Sequence, residues 1–216
     1  MLIFSAIPES LRACAAKDFQ RLPVEVRESI DEKLWASLTR TFVGSAYFAA
    51  SLIAEPELLS PLLKAVSARP PEKIDFKALS AAASDCEGEV QFDQYLRQFR
   101  RRAMLQIIWT DFNCTDPAER YNGTAEAVSQ LAETSIQAAL VFHNRELAGR
   151  FGQPMGRSSG LPQRMVVLGM GKLGAGELNI SSDIDLIFAY PESGETVHQT
   201  ADPSITRPRK TLSNQE

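Results

Sequence analysis

The chain has 216 residues, 44% hydrophobic and 23% charged, a globular composition with room for one large domain or two small ones. Lys and Arg total 23 against 27 Asp and Glu, a net charge of −4 that lacks the basic footprint of a nucleic-acid or membrane-surface binder. Cys14, Cys86 and Cys114 are scattered and form no Cys-x-x-Cys pair, which excludes a disulfide framework and a structural zinc site and makes a reducing cytoplasm the natural compartment.

No stretch approaches the roughly 20 apolar residues of a membrane span, and residues 1–7 are too short and lack the basic leader of a secretory signal. Over residues 8–150 the periodicity is helical. Pro8 opens a helix, with Leu11, Cys14, Ala15 and Phe19 at helical spacing. The pattern predicts further helices over 24–39 and 42–54, the second ended by Pro56. Leu58, Leu59, Leu62, Leu63 and Val66 form another apolar face, residues 68–71 a stiff proline connector, and 75–83 a short helix. The strongest pattern lies over 89–112, where Phe92, Leu96, Phe99, Ala103 and Ile107 share one stripe. Arg97, Arg100, Arg101 and Arg102 largely occupy its other faces and read as a solvated surface. Asp116-Pro-Ala-Glu119 has capping-box spacing, Asn122-Gly123 interrupts, Thr124 caps a long helix to about Ala148, and Gly149 stops it. Trp35 and Trp109 read as core, and His143 as a packed or surface residue and not a ligand.

Residues 1–150 are therefore expected to form an all-helical domain, 151–163 a Gly-, Pro- and Ser-rich linker, and 164–216 the start of a second domain. Residues 165–168 suit a buried strand, and 183–190 alternate as another before the turn Pro191-Glu-Ser-Gly194. Beyond that turn the tail is polar, with no further core element expected. The fold class is α+β.

Between the two strands lies Gly169-Met-Gly-Lys-Leu-Gly-Ala-Gly-Glu-Leu-Asn-Ile-Ser-Ser-Asp-Ile-Asp185. Its opening fits the Gly-x-Gly-x-x-Gly pattern of dinucleotide sites, but a Rossmann unit then needs a helix of about ten residues and a second strand ending in an acidic residue. Here residues 175–182 alone separate Gly174 from Asp183, and the aspartates precede the apolar stretch. A P-loop fails because Lys172 is not followed by Ser or Thr. Residues two apart on a strand share a face, so Asp183 and Asp185 should project together, with Ile184, Leu186 and Phe188 pointing into a core behind them. Paired carboxylates suit Mg²⁺ shared with phosphate oxygens. The Gly-rich turn, Ser181 and Ser182 offer donors to a nucleotide's phosphates, and Lys172 is as compatible with that role as with a solvent-facing one. Such a site suits phosphoryl or nucleotidyl transfer.

The whole run from Gly169 to Phe188 resembles the signature of the glutamine synthetase adenylyltransferase / adenylyl-removing enzyme family, within the DNA polymerase β-like nucleotidyltransferase superfamily. Tyr95-Leu-Arg-Gln-Phe-Arg-Arg-Arg-Ala-Met-Leu-Gln-Ile-Ile-Trp109 is similar to that family's Arg-rich helix, and Leu212-Ser-Asn-Gln-Glu216 resembles the start of a further family element. Together these cover most of the chain from about Tyr47 onward. The form Glu-Leu-Asn-Ile-Ser-Ser-Asp-Ile-Asp, after a helical prelude, resembles the first, adenylyl-removing copy of two nucleotidyltransferase domains.

The resemblance implies that the helical part is followed by the first strands of a polymerase β-like domain. It implies attack of inorganic phosphate on the AMP–tyrosine bond of adenylylated glutamine synthetase, giving ADP, while the other copy adenylylates from ATP under P-II signal proteins and glutamine. It implies Asp183 and Asp185 as catalytic ligands of Mg²⁺, and Gly171, Lys172, Gly174, Ser181 and Ser182 as residues holding ATP, ADP or phosphate groups. The superfamily's third carboxylate lies on a later strand, absent before Glu216, and Glu192 and Glu195 at the turn are poor substitutes. The expectation is an incomplete domain, inactive alone. The alternative is a non-catalytic helical interaction module with a vestigial nucleotide site. A nucleotidyltransferase acting on a small substrate such as an aminoglycoside is disfavoured by the long helical prelude.

Overall fold

The computed structural model describes residues 7–28, 30, 32–67, 73–198 and 212–213; the expected connector at 68–71 and most of the polar tail lie outside these. The chain is α+β, mostly helical with short antiparallel strands. It gathers into two units: the described residues of Met1–Asp75 with Arg97–Leu131, and those of Phe76–Leu96 with Ala132–Glu216.

The first unit is helical. Helix α1 (Glu9–Gln20) follows Pro8 directly and buries Ala15 and Phe19. The helix expected over 24–39 is two, α2 (Val24–Glu28) and α3 (Glu32–Gly44), separated around the buried Ile30. Helix α3 runs on through Phe42, and the break falls at Ser45. Its Oγ accepts the Phe48 N–H at 3.2 Å and so starts α4 (Ala46–Ala54). A 3-10 turn at Pro56–Leu58 leads into α5 (Leu59–Ser67), as the proline requires.

Aromatic rings line this core. Phe19 stacks on Phe42 at 4.6 Å, Phe42 meets Phe48 edge-on at 5.9 Å, and Phe48 lies 6.2 Å from Trp109 of α7 (Glu89–Asn113). Half-buried Trp35 borders the cluster, 4.8 Å from Phe19. Thr39 and Thr41 enter the core because their hydroxyls donate back along α3 to the Trp35 and Ser37 carbonyls, at 2.6 and 2.9 Å. At the surface Arg101 pairs with Glu55, while Arg100 and Arg102 are exposed, as a solvated helix face requires.

Helix α8 (Pro117–Phe151) opens on the anticipated cap: Asp116 Oδ1 accepts the Ala118 and Glu119 N–H groups at 2.8 and 3.0 Å. It does not break at Asn122-Gly123. An interior glycine costs about 1 kcal/mol relative to alanine, and burial of Ala125, Val128 and Leu131 just beyond outweighs it. Thr124, expected as a cap, donates its hydroxyl to Asp111 Oδ1 at 2.9 Å. Nor does the helix stop at Gly149. It stops at Gly152, with φ +93°, where an added Cβ would lie 2.7 Å from the Val197 backbone.

In the second unit, α6 (Phe76–Asp85) buries Leu79 and Ala83. Phe92 stacks on Phe142 at 4.3 Å with His143 edge-on to both; this histidine is exposed, the surface residue the sequence allowed for. Arg145 closes the end of α6. Its guanidinium donates to the carbonyls of Ala83 at 3.2 Å, Ser84, and Cys86 at 2.6 Å, while lying 5.2 Å over the Phe142 ring. These carbonyls belong to the last turn and its exit, where no helical N–H follows to accept from.

Strand β1 (Gln153–Gly156) pairs antiparallel with β4 (Gly194–Val197), and β2 (Val166–Gly169) with β3 (Leu186–Ala189), in two separate two-stranded sheets. The stretch read as a linker thus contains a strand, and the tail read as lacking core elements supplies its partner, with Gly194 and Thr196 buried. The Thr196 N–H also donates to the Leu212 carbonyl, and the Leu212 N–H to Thr196 Oγ1, each at 2.9 Å. Neither strand has an apolar alternation of its own, because each rests on a distant partner. Among the described residues no helix is long and apolar enough to cross a membrane.

Arg145→Ala is expected to lower stability by about 2 kcal/mol in urea unfolding, the scale of hydrogen bonds from a charged group. Arg145→Lys should recover only part, since an ammonium lacks the planar fork. The helix end gives a paired test by thermal unfolding. Gly149→Ala, with open space around it, should stabilise by up to about 1 kcal/mol, and Gly152→Ala should destabilise by at least about 1 kcal/mol; equal effects would overturn the placement of the stop.

Candidate functional site

Strands β2 and β3 are in register from Val166↔Ala189 to Gly169↔Leu186, so the end of one lies beside the start of the other. At that end the chain leaves β2 through the Gly-rich turn and returns along residues 181–185. Two side chains anchor the excursion: Leu173 is 4% exposed and Leu178 2%. The turn itself is one helical turn, α9 (Gly171–Gly174). Gly171 starts it at φ +53°, and Gly174 packs so near β2 that a Cβ would sit 2.5 Å from the Gly169 carbonyl oxygen. The Gly174 N–H donates to the Met170 carbonyl at 3.3 Å and the Glu177 N–H to that of Lys172 at 2.8 Å. Close backbone packing therefore accounts for this glycine spacing.

Asp183 and Asp185 precede β3 and do not lie on it. The strand begins at Leu186 because its partner ends at Gly169; one step further the Met170 N–H reaches the Asp185 carbonyl at 2.9 Å, and the chain then turns away. Both aspartates are exposed, and neither carboxylate has a hydrogen-bond or ion-pair partner among the described residues. The expected core behind them is not formed: Leu186 is half-buried, whereas Ile184 is 41% and Phe188 60% exposed. Val166 and Leu168 are exposed too, against the buried strand expected. The reason is architectural. A two-stranded sheet supplies no layer to cover its own face.

Lys172 and Ser181 are exposed, with no side-chain partner among the described residues. Ser182 is half-buried; its Oγ accepts the Asn179 N–H at 3.2 Å, and its own N–H donates to the Asn179 carbonyl at 3.1 Å. One end of the β2–β3 pair thus carries the turn with Gly171, Lys172 and Gly174, and the run from Ser181 to Asp185. Among the described residues no three His, Cys, Asp or Glu side chains converge as a complete metal cage. Two free carboxylates are hard oxygen donors, a set that fits Mg²⁺ completed by phosphate oxygens and water.

Glu192 has a structural place. Its carboxylate accepts the N–H groups of Ser158 at 2.9 Å and Ser159 at 3.2 Å, and Gln163 Nε2 at 3.4 Å, tying the β3–β4 turn to the β1–β2 connection. Hydrogen bonds from Ser159 and Ser158 hold this carboxyl below the usual carboxylate range. Glu195 sits on β4 opposite Met155. Sequence reasoning missed the Glu192 tie because Pro-Glu-Ser-Gly and Arg-Ser-Ser-Gly are two ordinary turns until the fold apposes them.

The profile of the family described as Glutamate-ammonia ligase adenylyltransferase matches residues 35–207, most of the chain. The chain belongs to this family of nucleotidyltransferases. It is similar to the bifunctional glutamine synthetase adenylyltransferase/adenylyl-removing enzyme of Hahella chejuensis, 41% identical over 183 residues, 83% of this chain and 18% of the relative. The protein of the same name from Pseudomonas aeruginosa is 51% identical over 118 residues, 55% of this chain and 12% of the relative. That of Thioalkalivibrio sulfidiphilus is 37% identical over 196 residues, 88% of this chain and 20% of the relative. The chain thus spans a fifth or less of the length of these relatives.

Since the folded Glu192 carboxyl titrates below its unfolded value, its stabilising effect is present above the ordinary carboxylate pKa and is lost as pH falls through the folded value. In an NMR pH titration the Ser158 and Ser159 amide protons are expected to shift together below that ordinary pKa, and Glu192→Gln should remove the transition. Amide shifts that stay flat in the wild-type chain would refute the tie.

Proposed function

We propose that this chain carries the metal- and nucleotide-binding opening of an adenylyl-removing nucleotidyltransferase domain over 164–216, preceded by a helical domain over 1–150. Asp183 and Asp185 hold Mg²⁺. Gly171, Lys172, Gly174, Ser181 and Ser182 form the side that meets the nucleotide's phosphates. When bound, the metal would neutralise charge on the transferring adenylyl group. The substrate is adenylylated glutamine synthetase: an oxygen of inorganic phosphate attacks the AMP phosphorus, the phosphorus–tyrosine oxygen bond breaks, the tyrosine oxygen takes up a proton, and ADP and unmodified glutamine synthetase leave. The exposure of both aspartates suits a protein substrate, and the Lys172 ammonium offsets phosphate charge. ATP-driven adenylylation, and control by P-II signal proteins and glutamine, belong in this reading to the longer family protein. The free thiols of Cys14, Cys86 and Cys114 suit a cytoplasmic setting.

The observation that supports the reading most is the meeting of the Gly-rich turn and the aspartate run at the Gly169↔Leu186 end of the β2–β3 pair, inside the family match. We further propose that the chain alone does not turn over. Two carboxylates are a partial donor set, and the described residues add no third.

Calorimetry on the chain with Mg²⁺ is expected to detect ADP binding that Asp183→Asn and Asp185→Asn each abolish. No binding by the wild type, or binding unchanged in both variants, would favour a non-catalytic helical interaction module. ADP released from adenylylated glutamine synthetase by the chain with Mg²⁺ and phosphate would refute its inactivity.

A further inference from the structure

We infer that Ser182, besides its place on the phosphate side, is a positioning residue for the aspartate pair and acts through the backbone; this rests on the metal-site reading of Asp183 and Asp185. Within the run 181–185 Ser182 alone is half-buried, and its four companions are exposed. Its hydroxyl oxygen accepts the Asn179 N–H at 3.2 Å while its N–H donates to the Asn179 carbonyl at 3.1 Å. This reciprocal pair holds the turn over 179–182 from both sides, where a single turn bond would leave one side free.

Asn179 is itself a firm anchor, because the preceding Leu178 is 2% exposed. At the other end of the run the Met170 N–H grips the Asp185 carbonyl at 2.9 Å. Residues 183–185 belong to no helix or strand, so these two attachments fix where the carboxylates start. A short segment pinned at both ends has lost most of its backbone freedom before a cation arrives, and binding then costs less ordering entropy. Removing the hydroxyl releases one end. Asp183, the carboxylate nearer that end, is then the one displaced.

The test is Mn²⁺ binding by the chain, followed by electron paramagnetic resonance of the free ion, with hydrogen exchange of the Asn179 amide as a second readout. Ser182→Ala is expected to weaken Mn²⁺ about tenfold, the scale on which supporting groups act on metal affinity, and to speed Asn179 exchange. Ser182→Thr, which keeps the hydroxyl, should restore both. Asn179→Ala, which keeps the backbone N–H, should bind Mn²⁺ as the wild type does. A Ser182→Ala chain with wild-type Mn²⁺ affinity overturns the positioning role, whatever happens to ADP. A wild-type chain that binds no Mn²⁺, and is indistinguishable from Asp183→Asn, overturns the metal site itself and this inference with it.

Discussion

One backbone hydrogen bond of 2.9 Å, from the Met170 N–H to the Asp185 carbonyl, continues the β2–β3 pairing past its last register pair, and the loop it encloses contains or borders every residue assigned to metal or nucleotide. Closing a loop of this size carries a modest entropic cost. What makes it a defined surface is what happens inside. Leu173 and Leu178 are buried, Gly174 packs against the β2 backbone, and Asn179 and Ser182 exchange hydrogen bonds. Lys172, Ser181, Asp183 and Asp185 are thus left exposed, where a charged ligand can reach them.

The sheet beneath is thin. Among the described residues each of its strands has one partner, and Val166, Leu168, Ile187 and Phe188 remain exposed although the unit buries Leu79, Phe92 and Phe142 elsewhere. The contrast follows from layering. A helix stripe in this unit finds another helix to cover it, whereas the face of a two-stranded sheet needs a second layer that neither strand can provide.

Charged side chains hold the rest of this unit by bonding to backbone. Arg145 satisfies the last carbonyls of α6, and Glu192 gathers the amides of Ser158 and Ser159. In each case a long side chain reaches a segment remote in sequence, and the bond is charge-assisted. Neither depends on apolar burial, which suits elements as short as β1 to β4.

The sequence by itself determined the elements whose causes are local. Helices α6 and α7 were legible from apolar spacing, the α8 start from Asp116, and the α4–α5 break from Pro56. The composition of the turn and aspartate run was likewise enough to point to the family, because that run is contiguous. Where a local preference met a packing demand, packing prevailed: α8 passes Gly123 because the buried side chains just beyond outweigh the propensity loss of a glycine. Only the tertiary structure decided the pairing of β1 with β4, the capping by Arg145, the tie through Glu192, and the point at which β3 begins, just after the aspartates. Each of these rests on a partner far along the chain, and a residue's own neighbours carry no trace of a hydrogen bond that exists only after folding has brought its acceptor near.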